Sequence, residues 1–262
     1  MTGRTRILIL GGTGEAVALA AGAQARWGER VTIITSLAGR TSDPVLPEGE
    51  VRVGGFGGSD GLASYIRAAG IDAVVDATHP FARQISEHAR LSCDATGKPR
   101  LSLLRPNWVE RPGDRWHHVA EAAAGARLLP QLGRRAFLAV GLRGLAAFSS
   151  VQGVWFLVRL IERPPAPLPL GGHEVLIARG PFDRDAERDL FLRHRIDVLV
   201  TKASGGQSTE AKIEAARDLG LPVVMLRRPP PEPGATVDSV SAALRWLGDR
   251  LAALDLPAVE TT

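Results

Sequence analysis

Short apolar runs alternate with amphipathic runs along most of the chain. Residues 6–10, 31–35, 51–53, 72–76 and 100–104 are rich in β-branched residues and leucine and are apolar nearly throughout. They predict strands covered on both faces. Between them, residues 14–27, 60–69 and 81–96 predict helices. The second puts Leu62, Ile66 and Ala69 on one face and stops at Gly70. The third puts Ala82, Ile85, Ala89 and Cys93 on one stripe, which reads Cys93 as a small core residue rather than a nucleophile. This alternation requires a parallel sheet with right-handed crossovers. It then restarts. Residues 119–129 read as a helix, and 135–140, 154–160, 174–178, 197–202 and 222–226 as a second strand series with later helices at 184–194, 210–219 and 238–254. The fold class is α/β, with two parallel-sheet, three-layer domains. The pattern places them at 1–126 and 127–254, with a tail at 255–262. Proline-rich loops at 164–169 and 229–234 lie inside the second half.

Length and composition agree: 262 residues, 45% hydrophobic and 23% charged, fit a soluble globular chain. No run of eighteen apolar residues exists, so no membrane span is expected. The apolar run near the N-terminus is too short for a signal-peptide core. Cys93 is the only cysteine, which excludes an internal disulfide and a cysteine-based zinc site. A reducing cytoplasm is the compartment this favours. The formal net charge is +4, carried almost wholly by arginine, because lysine occurs only at 98, 202 and 212. Arginine suits carboxylates and phosphates. The arginines are scattered, with no basic block interleaved with aromatics, so nucleic acid is not the expected partner.

The candidate chemistry sits where predicted strands end. Gly11-Gly12-Thr13-Gly14-Glu15 follows a strand and opens a helix. Such a turn lets the backbone approach a phosphate, and the helix's free amides bind it. Gly12, Thr13, Gly14 and Glu15 are therefore candidate cofactor contacts, although Val17 stands where a dinucleotide fingerprint has its third glycine. The second strand runs on through Ser36 to Arg40 with no acid before Asp43. NAD-binding domains usually carry an acid there for the ribose, so Ser36 and Arg40 favour a 2′-phosphate and hence NADPH. Gly57, in the Gly54-Gly55-Phe56-Gly57-Gly58 turn, lies on the same predicted edge. So do Ala77, Thr78 and His79 in Asp76-Ala77-Thr78-His79-Pro80-Phe81-Ala82. His79 is a candidate catalytic residue, able to donate a proton or orient a substrate near neutral pH. Equally, Pro80 suits a helix's first turn, so His79 also fits a capping position. Arg83, one turn on, and Arg105, at the fifth strand's end, are candidate carboxylate binders. In the second half, Lys202-Ala203-Ser204-Gly205-Gly206 again sits between strand and helix, which marks Lys202, Ser204, Gly205 and Gly206 as an anion-binding loop. No nucleophile elbow, P-loop lysine or convincing metal set is present; His117 and His118 are adjacent, which is poor geometry for one ion.

In order, the GGTGEA, SLAGR, GGFGG, DATHPFA, LLRPNW, GPF and VTKASGG segments, followed by LGLPVVMLRRP, resemble the precorrin-6A reductase family over about residues 7–229. That resemblance implies two Rossmann-like domains with a cleft between them. It also implies NADPH-dependent reduction of one double bond of the precorrin-6A macrocycle, giving precorrin-6B in cobalamin biosynthesis. The substrate it implies is a tetrapyrrole with many acetate and propionate carboxylates, handled alongside the neighbouring enzymes of the corrin pathway. Where Ala203 stands, the family's pattern can place Asn, so that position offers no polar side chain here. Two other readings compete: a nicotinamide enzyme for a smaller acid or imine, and a nucleotide-sensing module without catalysis.

Overall fold

The computed structural model describes residues 4–39 and 46–255. In chain order the elements begin β1 (Thr5–Leu10), α1 (Gly14–Trp27), β2 (Val31–Leu37), β3 (Glu50–Val53), α2 (Ser59–Ala68), β4 (Ala73–Asp76), α3 (Arg83–Thr96) and β5 (Arg100–Leu103). They continue β6 (Arg115–Val119), α4 (Ala122–Leu132), β7 (Arg135–Ala139), β8 (Trp155–Leu160), β9 (His173–Ile177), α5 (Arg184–Arg193), β10 (Val198–Lys202), α6 (Ala211–Asp218), β11 (Pro222–Leu226), β12 (Ala235–Val237) and α7 (Val240–Asp255).

Two compact units result: residues 1–105 with 229–262, and residues 106–228. The first holds a six-stranded parallel sheet in the order β3-β2-β1-β4-β5-β12. This is the doubly wound order, with its switch point between β1 and β4. The period-two pattern of β1 builds both faces. Ile7 and Ile9 pack with Leu19, Ala20 and Ala23 of α1 and Ala243 and Leu247 of α7. Leu8 and Leu10 pack with Leu62 and Ile66 of α2 and Ala89 and Cys93 of α3.

The second unit holds another parallel six-stranded sheet, β9-β8-β7-β10-β11-β6. Phe137, Leu157, Leu199 and Met225 bury one face with Leu190 and Phe191 of α5 and Ile213 of α6. A 3-10 segment, Leu142–Phe148, follows β7 and packs with α4. The α/β class and the two Rossmann-like sheets are as the pattern predicts.

The division of the chain differs from the expected break near 127. Residues 115–119, read partly into a helix, form strand β6, and α4 begins only at Ala122. Arg-Trp-His-His-Val carries polar side chains because β6 is an edge strand paired only with β11. The chain re-enters the first unit at its end, where β12 pairs with β5 and α7 covers the sheet. Each unit therefore has the same strand order, but its sixth place is filled from the other end of the sequence. Of the expected tail, residues 256–262 lie outside the described residues.

Candidate active site

At the first unit's switch point, Gly11 N–H donates to Ser36 O at 2.9 Å, and Ala77 N–H donates to Leu10 O at 3.0 Å. A Cβ on Gly11 would stand 2.8 Å from Thr35 Cγ2, so the strand-end turn admits no side chain there. Gly12 follows at φ +101, a conformation other residues rarely adopt. Thr13 is the N-cap of α1: its Oγ1 accepts from Ala16 N–H at 3.2 Å and donates to Ala77 O at 2.6 Å. One hydroxyl thus caps the helix and ties the β1 turn to the β4 turn. The N–H groups of Gly14 and Glu15 have no acceptor among the described residues, which leaves them for an anion. The Glu15 carboxylate receives Arg105 Nη1 at 3.0 and 3.2 Å.

β4 ends in Asp76, 5% exposed, whose Oδ1 accepts from Thr78 N–H at 3.1 Å and Thr78 Oγ1 at 2.6 Å. The His79 Nδ1 accepts from Phe81 N–H at 3.2 Å. That bond places the neutral ring's proton on Nε2. A cavity at the carboxyl ends of β4 and β5 is lined by Asp76, Thr78, His79, Arg83, Ser86 and Ser102. The returning segment, Pro229 to Glu232, also borders it. Glu232 is held by Arg90 Nε of α3 at 2.8 Å.

Beside β2, Ser36 is buried and Arg52 of β3 stands next to it in register. Arg52 Nη1 donates to Gly54 O at 2.6 Å and approaches Ser36 Oγ at 3.5 Å, while Nη2 donates to Gly55 O at 2.7 Å. Its guanidinium lies over Phe56, 3.9 Å from the ring centroid. Sequence reasoning missed Arg52, because an arginine inside Val-Arg-Val reads as the solvent side of an edge strand. Arg40 lies outside the described residues.

Gly12, Thr13, Gly14, Glu15, Ser36, Gly57, Ala77, Thr78, His79, Arg83 and Arg105 thus all stand at strand-end turns or helix starts on the carboxyl side of the first sheet. Lys202, Ser204, Gly205 and Gly206 stand after β10, on the carboxyl side of the second. That loop is held tightly. Trp108 Nε1 donates to Gly206 O at 3.0 Å, and Arg228 Nη2 donates to Ser204 O at 2.9 Å. Lys212, buried, lies over the Trp108 ring and donates Nζ to Thr209 O. A Cβ on Gly205, at φ +65, would meet Pro106 O at 2.0 Å. Trp108 and Arg228 lie inside the LLRPNW and LGLPVVMLRRP segments, but their support of this loop, like that of Lys212, left no trace in residue order, because their partners are backbone carbonyls. Ala203 contributes backbone alone: its N–H donates to Leu226 O at 2.8 Å and its carbonyl accepts from Arg228 Nε at 3.3 Å. No cluster of three or more metal-ligating side chains occurs among the described residues. Cys93 is buried, and burial pushes its thiol up to about 12.

Three comparisons bear on this arrangement. The family model described as "Precorrin-6x reductase CbiJ/CobK" matches residues 6–248. The precorrin-6A reductase of Rhodococcus erythropolis is 54% identical over 245 residues, covering 93% of this chain and 98% of that one. That of Mycobacterium tuberculosis is 45% identical over 244 residues, covering 93% and 97%. Among solved structures, "CobK precorrin-6A reductase" superposes with a TM-score of 0.89 at 41% identity, covering 94% of this chain and 97% of that one. With a family model matching nearly the whole chain and relatives of 54% and 45% identity covered almost end to end, the chain belongs to the precorrin-6A reductase family, oxidoreductases of cobalamin biosynthesis.

Proposed function

We propose that the reductant is NADPH, held by the first unit, and that the substrate is the precorrin-6A tetrapyrrole, reduced at one double bond. The observation that carries the cofactor reading is the end of β2. A buried Ser36, with the guanidinium of Arg52 beside it, stands where an NAD-binding domain places a ribose-binding acid. The fit extends to the turn before α1, where the Gly11 cradle is too close to Thr35 for any side chain and the Gly14 and Glu15 amides are unclaimed among the described residues. Gly12, Thr13, Gly14 and Glu15 would hold the pyrophosphate, Ser36 and Arg40 the 2′-phosphate, and Gly57, Ala77 and Thr78 would border the nucleotide. When bound, NADPH supplies the hydride.

The chain's own residues supply position. Thr13 and Asp76 fix the two turns that flank the switch point. His79, with Nδ1 accepting from the Phe81 N–H, presents Nε2–H as a hydrogen-bond donor that orients the substrate, while the proton that completes the reduction comes from His79 once both its ring nitrogens are protonated, from another polar group or from solvent. Arg83, at the start of α3, matches acetate and propionate carboxylates, and Arg105, which already holds Glu15, adds positive charge at the end of β5. Lys202, Ser204, Gly205 and Gly206 form a second carboxylate-binding loop, kept in shape by Trp108 and Arg228. The cytoplasm, the reducing compartment that a single free cysteine favours, is the expected location. No helix among the described residues is long and apolar enough to cross a membrane.

The test is direct. Purified protein is incubated with NADPH and precorrin-6A while the nicotinamide band and the visible spectrum are followed. Loss of the nicotinamide band with a matching macrocycle shift is expected. NADPH binding without oxidation would point instead to a sensor, and oxidation by small acids or imines to the competing reductase.

A further inference from the structure

We propose that Arg52, alongside Ser36 and Arg40, selects the 2′-phosphorylated nucleotide, an inference that rests on the NADPH reading above. Arg52 is half-buried at the carboxyl end of β3, directly across from Ser36. Its bonds go to two backbone carbonyls, and its flat face lies on Phe56, with Tyr65 5.3 Å from the guanidinium carbon. No carboxylate pairs with it among the described residues. Three other guanidinium groups taken out of water are paired with carboxylates: Arg159 with Glu187, Arg217 with Asp114 and Arg105 with Glu15. A cation taken partly out of water with carbonyls, one hydroxyl and two ring faces around it, but no negative charge among the described residues, is incompletely compensated.

Its geometry points to an external anion. Gly54 O, Gly55 O and Ser36 Oγ use three of its five N–H donors, which leaves Nε–H and one Nη2–H. Two donors on a planar fork suit a phosphate. Stacking on Phe56 and the carbonyl bonds hold the fork before any ligand arrives, so little side-chain entropy is lost on binding. The buried hydroxyl of Ser36 beside it can donate to the same phosphate and, unlike Asp or Glu, does not repel it.

Arg52 also braces the glycine turn at 54–58, so the experiment must separate a phosphate contact from a structural brace. Calorimetric titration of the full-length protein with 2′,5′-ADP and with 5′-AMP does so. The R52Q variant keeps a donor for the turn and removes the charge, and R52A removes both. Both variants are expected to lose about 10- to 100-fold in affinity for 2′,5′-ADP. Their affinity for 5′-AMP should stay within about threefold, since that ligand lacks the group concerned. Raised salt should weaken 2′,5′-ADP binding more in the wild type than in R52Q. Equal losses for both probes would overturn the assignment and leave Arg52 a brace. Unchanged binding of 2′,5′-ADP by R52Q would overturn it too. Should the wild type itself bind the two probes equally, the NADPH reading fails, and this inference with it.

Discussion

The hydroxyl of Thr13 serves two backbone atoms from different turns, Ala16 N–H and Ala77 O. Thr13→Val should cost about 1–2 kcal/mol in denaturant unfolding, the scale of a lost N-cap, and should also weaken NADPH binding, because the turn it closes is the one proposed to hold the cofactor. His79→Gln tests the proposed substrate contact. Turnover of precorrin-6A should fall about 100-fold, while NADPH affinity measured by calorimetry stays nearly constant. Equal loss of both would make His79 a turn residue only. Cys93 gives a check on the core: with its thiol held far above the ordinary range, it should react with a disulfide reagent only after the protein is unfolded. At this scale the sequence was most informative, since strand-end glycines, Thr78 and His79 announce themselves by position. Arg52 did not, because what marks it is a register pairing with Ser36 and two carbonyl bonds, neither of which leaves a trace in residue order.

Among the elements, β8 and α5 are joined by a charge pair with almost no exposure, 8% for Arg159 and 4% for Glu187. Two bonds of 2.9 and 2.6 Å link them, and the guanidinium lies over both Phe137 and Phe182. Removing one partner strands a buried charge. Glu187→Ala should therefore cost about 3–5 kcal/mol, read as a lower denaturation midpoint of the second unit. The long apolar strands and the capped helices were legible from periodicity and turn residues. The two elements that were not, β6 and β12, are edge strands: one is masked by Arg, Trp and His, the other is three residues long after a proline run. Edge strands bury less, so their composition says less.

For the whole molecule, residues 106–228 are continuous and carry their own six-stranded sheet and core. Produced alone, this segment should unfold cooperatively in denaturant. Residues 1–105 alone should not, because β12 and α7 are missing from their sheet and Leu101, Leu103 and Ile9 lose the cover of Ala243 and Leu247. A cooperative transition for 1–105 would show that α7 is dispensable.

The exchange of sixth strands also sets an order of events at the ribosome. A nascent chain presents β1 to β5 early, yet the strand that closes that sheet lies beyond Leu103 and the whole of the second unit, starting only at Ala235. At about 5–20 residues per second, the half-made sheet waits on the order of ten seconds with β5 as an open edge. The second unit, begun later, has all its strands once β11 has emerged. Synthesis of this enzyme therefore finishes its domains in the reverse of the order in which it starts them, and the interval is one that a strand-edge-binding chaperone would find useful to guard.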